Sequence, residues 1–218
     1  MRICWPAATS AASSSTSSRS ASMTHTILDP TGRGAQPAGS AAGPADPQDR
    51  PTPELAPRPA SLAGARVGLL DNTKHNALLF LTVVGELLVE EHGAASVGIV
   101  ETKKNFSIPV DEEIVSRYRE SCDVVVTGVG DCGSCSAAAV ADGINFERAG
   151  LPAAVVLTDA FDITGRTMAG VQGAPDYEWI RTEHPMAVLT EEQVRERARL
   201  LLPEILSTLT DPDREVRA

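Results

Sequence analysis

Residues 123–159, DVVVTGVGDCGSCSAAAVADGINFERAGLPAAVVLTD, contain the pattern that decides the fold. An aliphatic run of strand length leads through a glycine-containing turn into an alanine-rich helical segment that stops at Gly150. A second aliphatic run follows at once. A strand, a helix and a strand joined in this way form a βαβ unit, in which the two strands lie parallel. The segment therefore predicts a parallel sheet with helices on both faces.

The same alternation extends over most of the chain after Ala65. The predicted strands are 66–72, 96–102, 123–130 and 151–159, and the helices between them are 77–92, 109–122 and 134–149. The segment 161–185 is broken by glycines, and a last helix is predicted from Thr190, a suitable N-cap, to about Leu209. We predict an α/β fold: a single three-layer domain with a mostly parallel sheet of about four strands.

The N-terminal 62 residues differ in composition from the rest of the chain. They are rich in Ser, Ala, Pro and Gly and cannot bury enough apolar surface to offset chain entropy. We predict a disordered low-complexity tail over 1–62 and the α/β domain over 63–218. The first part of the tail is Ser-rich and acid-poor, which is also typical of a transit peptide. The other interpretations are a plain linker and an over-long start, with Met23 as the true first residue.

Composition and charge exclude several classes of function. The formal net charge of −10 disfavours a broad nucleic-acid surface and adhesion to anionic membranes. Four cysteines in 218 residues are too few for a disulfide-stapled secreted scaffold, which favours the cytoplasm. We therefore predict a small-molecule substrate, no nucleic acid and no membrane. Whether the protein forms an oligomer is left open by the sequence.

Polar and reactive residues follow the predicted strands at their carboxyl ends. Those ends share one edge of a parallel sheet, and ligands bind at that edge in such folds. The candidate catalytic residues are Cys132 and Cys135. The candidate substrate-binding or supporting residues are Asp71, Asn72, Lys74, Lys103, Lys104, Gly130, Asp131, Gly133, Ser134, Ser136 and His184.

The two cysteines of the turn are separated by two residues and precede a predicted helix. The positive end of a helix dipole stabilises a thiolate, which is the nucleophilic form of cysteine. The second sulfur lies within reach of the first and can resolve a mixed disulfide. Gly130 and Gly133 allow a sharp turn and a close approach of substrate, while Ser134 and Ser136 are suited to capping the helix or binding an anion.

Other interpretations of this turn remain open. A structural zinc site needs four Cys or His ligands, and the CxxC pair has no second pair to complete it, so we predict no metal. A turn whose small residues serve packing alone is the second alternative. The glycines of GVGDCG nearly match a dinucleotide fingerprint but lack its acidic ribose partner at the expected distance, so we predict no bound cofactor.

The supporting residues each have a structural and a functional interpretation. Lys103 and Lys104 belong to a solvated loop, or one of them supplies positive charge to an anionic substrate or lowers a thiol pKa. Asp71 is either an N-cap or a site residue. Asp131 is expected to oppose thiolate formation at its neighbour. His184 is either structural or an acid–base group.

Several motifs resemble one family. The segment VVVTGVGDCGSCSAAAVADGINFERAGLPAAVVLTDAF resembles the UGSC family of selenoproteins and their cysteine counterparts, as do ILDPTGR, LLDNTKHNA, ETKKNFS and the His184-Pro185 pair. In that family the first residue of U-G-S-C is selenocysteine or cysteine, and here it is Cys132. The resemblance implies redox chemistry at this position but no substrate. The cysteine-rich segment also resembles, more distantly, the selenoprotein component of glycine-type reductases.

These observations favour a thiol oxidoreductase. In this hypothesis Cys132 attacks a small electrophile, Cys135 resolves the adduct, and an external thiol or a thioredoxin-like redox partner protein reduces the disulfide. The first alternative is a thiol-dependent lyase or hydrolase with a single Cys nucleophile, in which His184 or a lysine is the acid or base. The second is a non-catalytic subunit that binds a small molecule or a partner.

Overall fold

The computed structural model describes residues 55–211, which form five strands and five helices. The strands are β1 (Arg66–Asp71), β2 (Ser96–Thr102), β3 (Val124–Gly130), β4 (Ala153–Thr158) and β5 (Ile180–Thr182). The helices are α1 (Ala77–His92), α2 (Glu112–Ser121), α3 (Gly133–Arg148), α4 (Asp162–Val171) and α5 (Glu191–Leu209), and a 3₁₀ turn, Asp159–Phe161, precedes α4. No helix within 55–211 is both long and apolar enough to span a bilayer.

The sheet is parallel throughout, with the strand order β2-β1-β3-β4-β5. This is a doubly wound order, in which the direction of winding reverses between β1 and β3. Ligands of such sheets bind in the crevice outside the strand ends at that switch point. The loops that follow β1 and β3 border that crevice.

The domain has three layers. On one face of the sheet α1 and α5 pack with residues such as Phe80, Val126 and Ile205 in one buried cluster. On the other face α2, α3 and α4 cover two further buried clusters. Every residue of β3 and β4 is buried, because helices cover both faces of the central strands. The predicted three-layer α/β fold is confirmed, with five strands where about four were expected.

Two helix ends follow the predicted chemistry closely. Gly93 ends α1 in the left-handed conformation, with φ of 71°, which a glycine adopts without strain. Thr190 caps α5, and its side chain and that of Gln193 form a reciprocal capping box. These local signals fix the end of α1 and the start of α5, the two helices on one face of the sheet.

The glycine-broken segment after β4 contains two elements that the sequence pattern did not predict, α4 and β5. In α4, a Cβ atom at Gly165 would lie 2.7 Å from the Trp179 ring, so the glycine is needed for close packing although it weakens helical propensity. Strand β5 has three residues, too few to show a period.

The domain extends further toward the N-terminus than residue 63. The backbone N–H of Ala56 donates to Glu147 Oε2 at 2.7 Å, and the Arg58 guanidinium forms a salt bridge with Glu147 at 2.7 Å. Leu62 is buried in the cluster under α1 and α5. Residues 55–62 are thus part of the packed domain because a buried carboxylate of α3 holds them. The rest of the predicted tail, 1–54 with Met23, lies outside the described residues, as do 212–218.

Candidate functional site

Cys132 is the N-cap of α3 and lies two residues after the end of β3. Its Sγ accepts a hydrogen bond from the backbone N–H of Cys135 at 3.4 Å, and its carbonyl accepts from Ser136 N–H at 2.9 Å. The sulfur therefore occupies the place where a helix terminus presents free N–H groups and partial positive charge. A Cβ atom added to Gly133 would meet nothing within 4 Å, so the space in front of this turn is open.

The two thiols are in direct contact and are not bonded to each other. Their sulfurs lie 2.7 Å apart, and both cysteines are free. Cys135 is fully buried, whereas Cys132 is partly exposed. The Cys132 thiol donates to Cys135 in the neutral pair. The Cys135 thiol donates to the Cys132 carbonyl at 3.2 Å. When Cys132 loses its proton its sulfur can only accept, and the Cys135 thiol can then turn to donate to it.

Burial and hydrogen bonding separate the acidities of the two sulfurs. Burial raises the pKa of Cys132, but hydrogen bonds from the Cys135 thiol and N–H, and from Lys74 and Ser134, outweigh it and hold this pKa below the ordinary value. Burial, and then the hydrogen bond to Cys132, raise the pKa of Cys135 to about 12. Cys132 is therefore the sulfur that ionises first, and Cys135 keeps its proton.

Lys74, which follows β1, is the cation next to this pair. Its burial lowers its pKa, but the hydrogen bond to Cys132 and the charges of Cys135, Cys132 and Asp131 raise it by more. The ammonium also lies 4.7 Å from the centroid of the Phe106 ring, an attractive cation–π arrangement. Phe106 was not among the predicted site residues. An exposed aromatic side chain in a loop at the strand ends is the signal that could have identified it.

Asp131 directs its carboxylate toward the chain after β5. It accepts hydrogen bonds from the backbone N–H groups of Met186 (3.2 Å) and Ala187 (2.9 Å), and its Oδ1 lies 2.9 Å from His184 Nδ1. The same His184 nitrogen lies 3.2 Å from Thr158 Oγ1. The carboxylate that was expected to oppose the neighbouring thiolate is thus engaged by two N–H groups and an imidazole. Thr158, at the end of β4, is a second residue that sequence reasoning missed.

Asn72 and Asp71 shape the loop after β1. Asn72 is buried, its N–H donates to the Gly128 carbonyl (3.2 Å) and its amide donates to the Val129 carbonyl (2.8 Å), so it ties β1 to β3 at the switch point. Asp71 accepts from Thr73 N–H at 3.0 Å, and burial raises its pKa. The N-cap of α1 is Asn76, so the interpretation of Asp71 as that cap is wrong.

Packing of α3 against the sheet requires a small residue at the end of β3. A Cβ atom at Gly130 would lie 2.3 Å from a Leu157 methyl group and 2.7 Å from Ser136 Oγ. Within the described part of the chain, Ser136 Oγ and Asn72 Oδ1 are buried side-chain atoms without a hydrogen-bond partner. Unpaired buried polar atoms are costly and are concentrated at functional sites, which fits their place at the switch point.

The two lysines after β2 do not lie together at the thiol pair. Lys103 is buried and forms a salt bridge with Asp142 of α3, whose other oxygen accepts from Val110 N–H at 2.7 Å. This ion pair gives Lys103 a packing role, and its ammonium is already neutralised. Lys104 is exposed on the same loop. Ser134, in contrast, stands beside the nucleophile, with its Oγ 3.8 Å from Cys132 Sγ.

The third described cysteine is separate from this site. Cys122 is the C-cap of α2, and its thiol donates to the Tyr118 carbonyl at 3.1 Å. Burial raises its pKa to about 12. Within residues 55–211, no three or more His, Cys, Asp or Glu side chains are grouped so that they could hold a metal ion.

The doubly wound parallel sheet and the thiol pair at its switch point define an α/β protein with a cysteine-centred site at the carboxyl edge. The model of one family, the UGSC family, matches residues 26–211, and the chain belongs to that family. The resemblance drawn from the sequence motifs is thereby confirmed. No curated protein and no solved structure matches the chain significantly. The more distant resemblance to a component of glycine-type reductases is not shown by these comparisons.

Proposed function

We propose that this protein is a thiol-based oxidoreductase that reduces a small molecule, with Cys132 as the nucleophile and Cys135 as the resolving thiol. The observation that supports this most directly is the juxtaposition of two free sulfurs, of which Cys132 is partly exposed and Cys135 is buried. An attacking thiol needs access to substrate, whereas a resolving thiol needs only to reach its neighbour. The pKa directions agree, because the exposed sulfur is the more acidic of the two.

A small disulfide serves as the electrophile in this reaction. The Cys132 thiolate attacks one sulfur of the substrate, forms a mixed disulfide, and the other sulfur leaves and takes up a proton. Cys135 then attacks the Cys132 sulfur, and the second half of the substrate leaves with the proton of Cys135. The substrate gains two electrons and becomes two thiols, and the enzyme becomes an intramolecular disulfide. An external thiol or a thioredoxin-like protein in the cytoplasm returns the two electrons.

Lys74 and the α3 N-terminus favour the first step because both place positive charge beside the sulfur that must be a thiolate. Lys74 also provides a cation for an anionic group of the substrate once the thiolate has been consumed. The open space in front of Gly133 gives a small molecule room to reach Cys132.

One observation favours a second candidate, a thiol-dependent lyase or hydrolase. His184 is held by the buried carboxylate of Asp131 in the arrangement by which hydrolases orient an acid–base histidine. The two candidates differ in what Cys135 does. A reductase needs it to form a disulfide, whereas a lyase or hydrolase with a single nucleophile does not.

The test uses the full chain and hydroxyethyl disulfide, with products weighed by mass spectrometry. We expect the wild-type protein to form a Cys132–Cys135 bridge that dithiothreitol reverses, with no lasting adduct on either of these two cysteines. The Cys135→Ser variant should retain one adduct on Cys132, and the Cys132→Ser variant should form none at this site. Cys122→Ala is the matched control, because its thiol is buried away from the site.

Two results would contradict the proposal. An adduct that accumulates on Cys135 in the Cys132→Ser protein, without the reverse, would show that the roles are inverted. Full turnover by both single variants, once a natural substrate is in hand, would make the thiol pair structural.

A further inference from the structure

We infer that His184 donates the proton to the group that leaves when Cys132 attacks, and that Asp131 and Thr158 are its positioning residues. This inference rests on the proposed function. His184 Nδ1 lies 2.9 Å from Asp131 Oδ1 and 3.2 Å from Thr158 Oγ1.

The hydrogen-bond pattern fixes which ring nitrogen carries the proton. The Thr158 hydroxyl has one proton, and it donates that proton to the Gly130 carbonyl at 3.1 Å. Its oxygen can therefore only accept from His184. The Asp131 carboxylate also only accepts when ionised. Both partners of Nδ1 are acceptors, so Nδ1 is the protonated nitrogen of the neutral ring, and Nε2 is the nitrogen that gains and loses a proton.

The surroundings hold the ring in this orientation. The Asp131 side chain that faces Nδ1 is 3% exposed, so solvent does not compete for this contact. The Phe161 ring meets the imidazole edge-on with centroids 5.4 Å apart, and His184 N–H donates to Asp159 Oδ1 at 3.1 Å. The His184 side chain is 36% exposed, so a ring whose Nδ1 is engaged still offers Nε2 to a substrate.

The topology brings this ring to the edge where Cys132 stands. Asp131 is the residue before Cys132, Thr158 ends β4, and His184 follows β5. All three therefore lie at the carboxyl edge of the sheet.

The proton transfer balances the first step of the proposed reaction. The Cys132 thiolate forms a bond to one substrate sulfur, and the bond between the two substrate sulfurs breaks. The departing sulfur takes the electron pair of that bond and the proton of Nε2, and the ring becomes neutral. An alkyl thiolate is a poor leaving group because its thiol has a pKa of about 8.5, and a proton donor helps such a group most.

The test compares two disulfides that differ in leaving group. Hydroxyethyl disulfide releases a basic alkyl thiolate, and 5,5′-dithiobis(2-nitrobenzoic acid) releases an acidic aromatic thiolate that leaves without a proton. We expect His184→Ala to slow the attack of Cys132 on the alkyl disulfide by about 100-fold or more and to leave the aromatic reaction essentially unchanged. His92→Ala, which alters a histidine at the end of α1, is the matched control.

The positioning residues are tested by the same pair of rates. Thr158→Val removes the hydroxyl at constant shape, and we expect a selective slowing with the alkyl disulfide of about fivefold. Thr158→Ser keeps the hydroxyl and should restore the rate. Nitrogen-15 NMR, at a pH where the His184 ring is neutral, should show its proton on Nδ1. This measurement does not depend on turnover.

The outcomes separate the two claims. Equal slowing of both disulfides by His184→Ala, no slowing of either, or an Nε2–H tautomer would overturn the role of His184 while Cys132 remains the nucleophile. If Cys132 of the wild-type protein reacts with neither reagent, the proposed function itself is wrong, and the inference fails with it.

Discussion

Replacing Lys103 by methionine tests whether the buried ion pair with Asp142 serves the stability of the domain rather than the thiol site. The two side chains are 3% and 0% exposed, so the variant would leave a carboxylate in the interior without its cation. Removing one partner of such a pair costs about 3–5 kcal/mol. For a domain of this size that loss lowers the melting temperature by about 6–20 °C.

A second substitution checks the cause of this loss. Asp142 also accepts from Val110 N–H at 2.7 Å, and asparagine can keep that bond while removing the charge. We therefore expect the double variant Lys103→Met, Asp142→Asn to recover most of the lost stability. Lys104→Met, on the exposed neighbour, should unfold like the wild-type protein.

The pH dependence of the Lys103→Met variant has a definite sign. Burial raises the pKa of Asp142, and Lys103 opposes that rise, so the variant holds this pKa still higher. A carboxyl group whose pKa is higher in the folded than in the unfolded state binds protons preferentially when folded. Its destabilising effect is present above the folded pKa and disappears below the unfolded one. The deficit against the wild-type protein should therefore shrink as the pH is lowered through the raised pKa of Asp142 in the folded variant.

Urea unfolding followed by circular dichroism measures these differences, with iodoacetamide alkylation of Cys132 measured in parallel. We expect the alkylation rate of the folded Lys103→Met variant to equal that of the wild-type protein. Unchanged stability would refute the reasoning, and unchanged stability with a changed rate would assign Lys103 to the thiol site.

Three further predictions address the site, the packing of α3 and the N-terminal segment. Hydrogen bonds hold the pKa of Cys132 below the ordinary value, so iodoacetamide should modify Cys132 near neutral pH well before Cys122. Lys74→Met should move the midpoint of the Cys132 alkylation rate against pH to higher pH. Equal alkylation rates for both cysteines would contradict this prediction. Gly130→Ala should destabilise the domain by about 1–3 kcal/mol in urea unfolding, because the added methyl group would overlap Leu157. Limited proteolysis should remove the Ser- and Pro-rich residues before about 54 and stop ahead of Ala56; protection of residues 10–20 would contradict this.

The fold could be predicted largely because the central strands are buried on both faces. Such strands are continuous aliphatic runs, so the sequence alone identifies a strand at Val124–Val126 of β3. Helix α4 was not predicted because Gly165 lowers its helical propensity. The glycine is required by close packing against the Trp179 ring, a tertiary contact that the local sequence does not show.

The candidate site was predicted to the extent that topology alone determines it. The rule that ligands bind at strand ends placed Lys74 and the thiol pair on one edge of the sheet. The same rule assigned Lys103 to that site as well. The sequence could not show its structural role, because its partner Asp142 lies 39 residues further along the chain. The sequence could not identify Thr158 as a site residue, because its contact is with His184, which lies 26 residues further along the chain.

The unequal exposure of the two cysteines determines where the site could accept a larger atom. Position 132 lies at a helix terminus beside open space, where a slightly larger atom would not displace core atoms. Position 135 is fully enclosed, so the same replacement there would have to be absorbed by close-packed neighbours. The packing around the two sulfurs therefore tolerates a change of size at the first cysteine and resists it at the second.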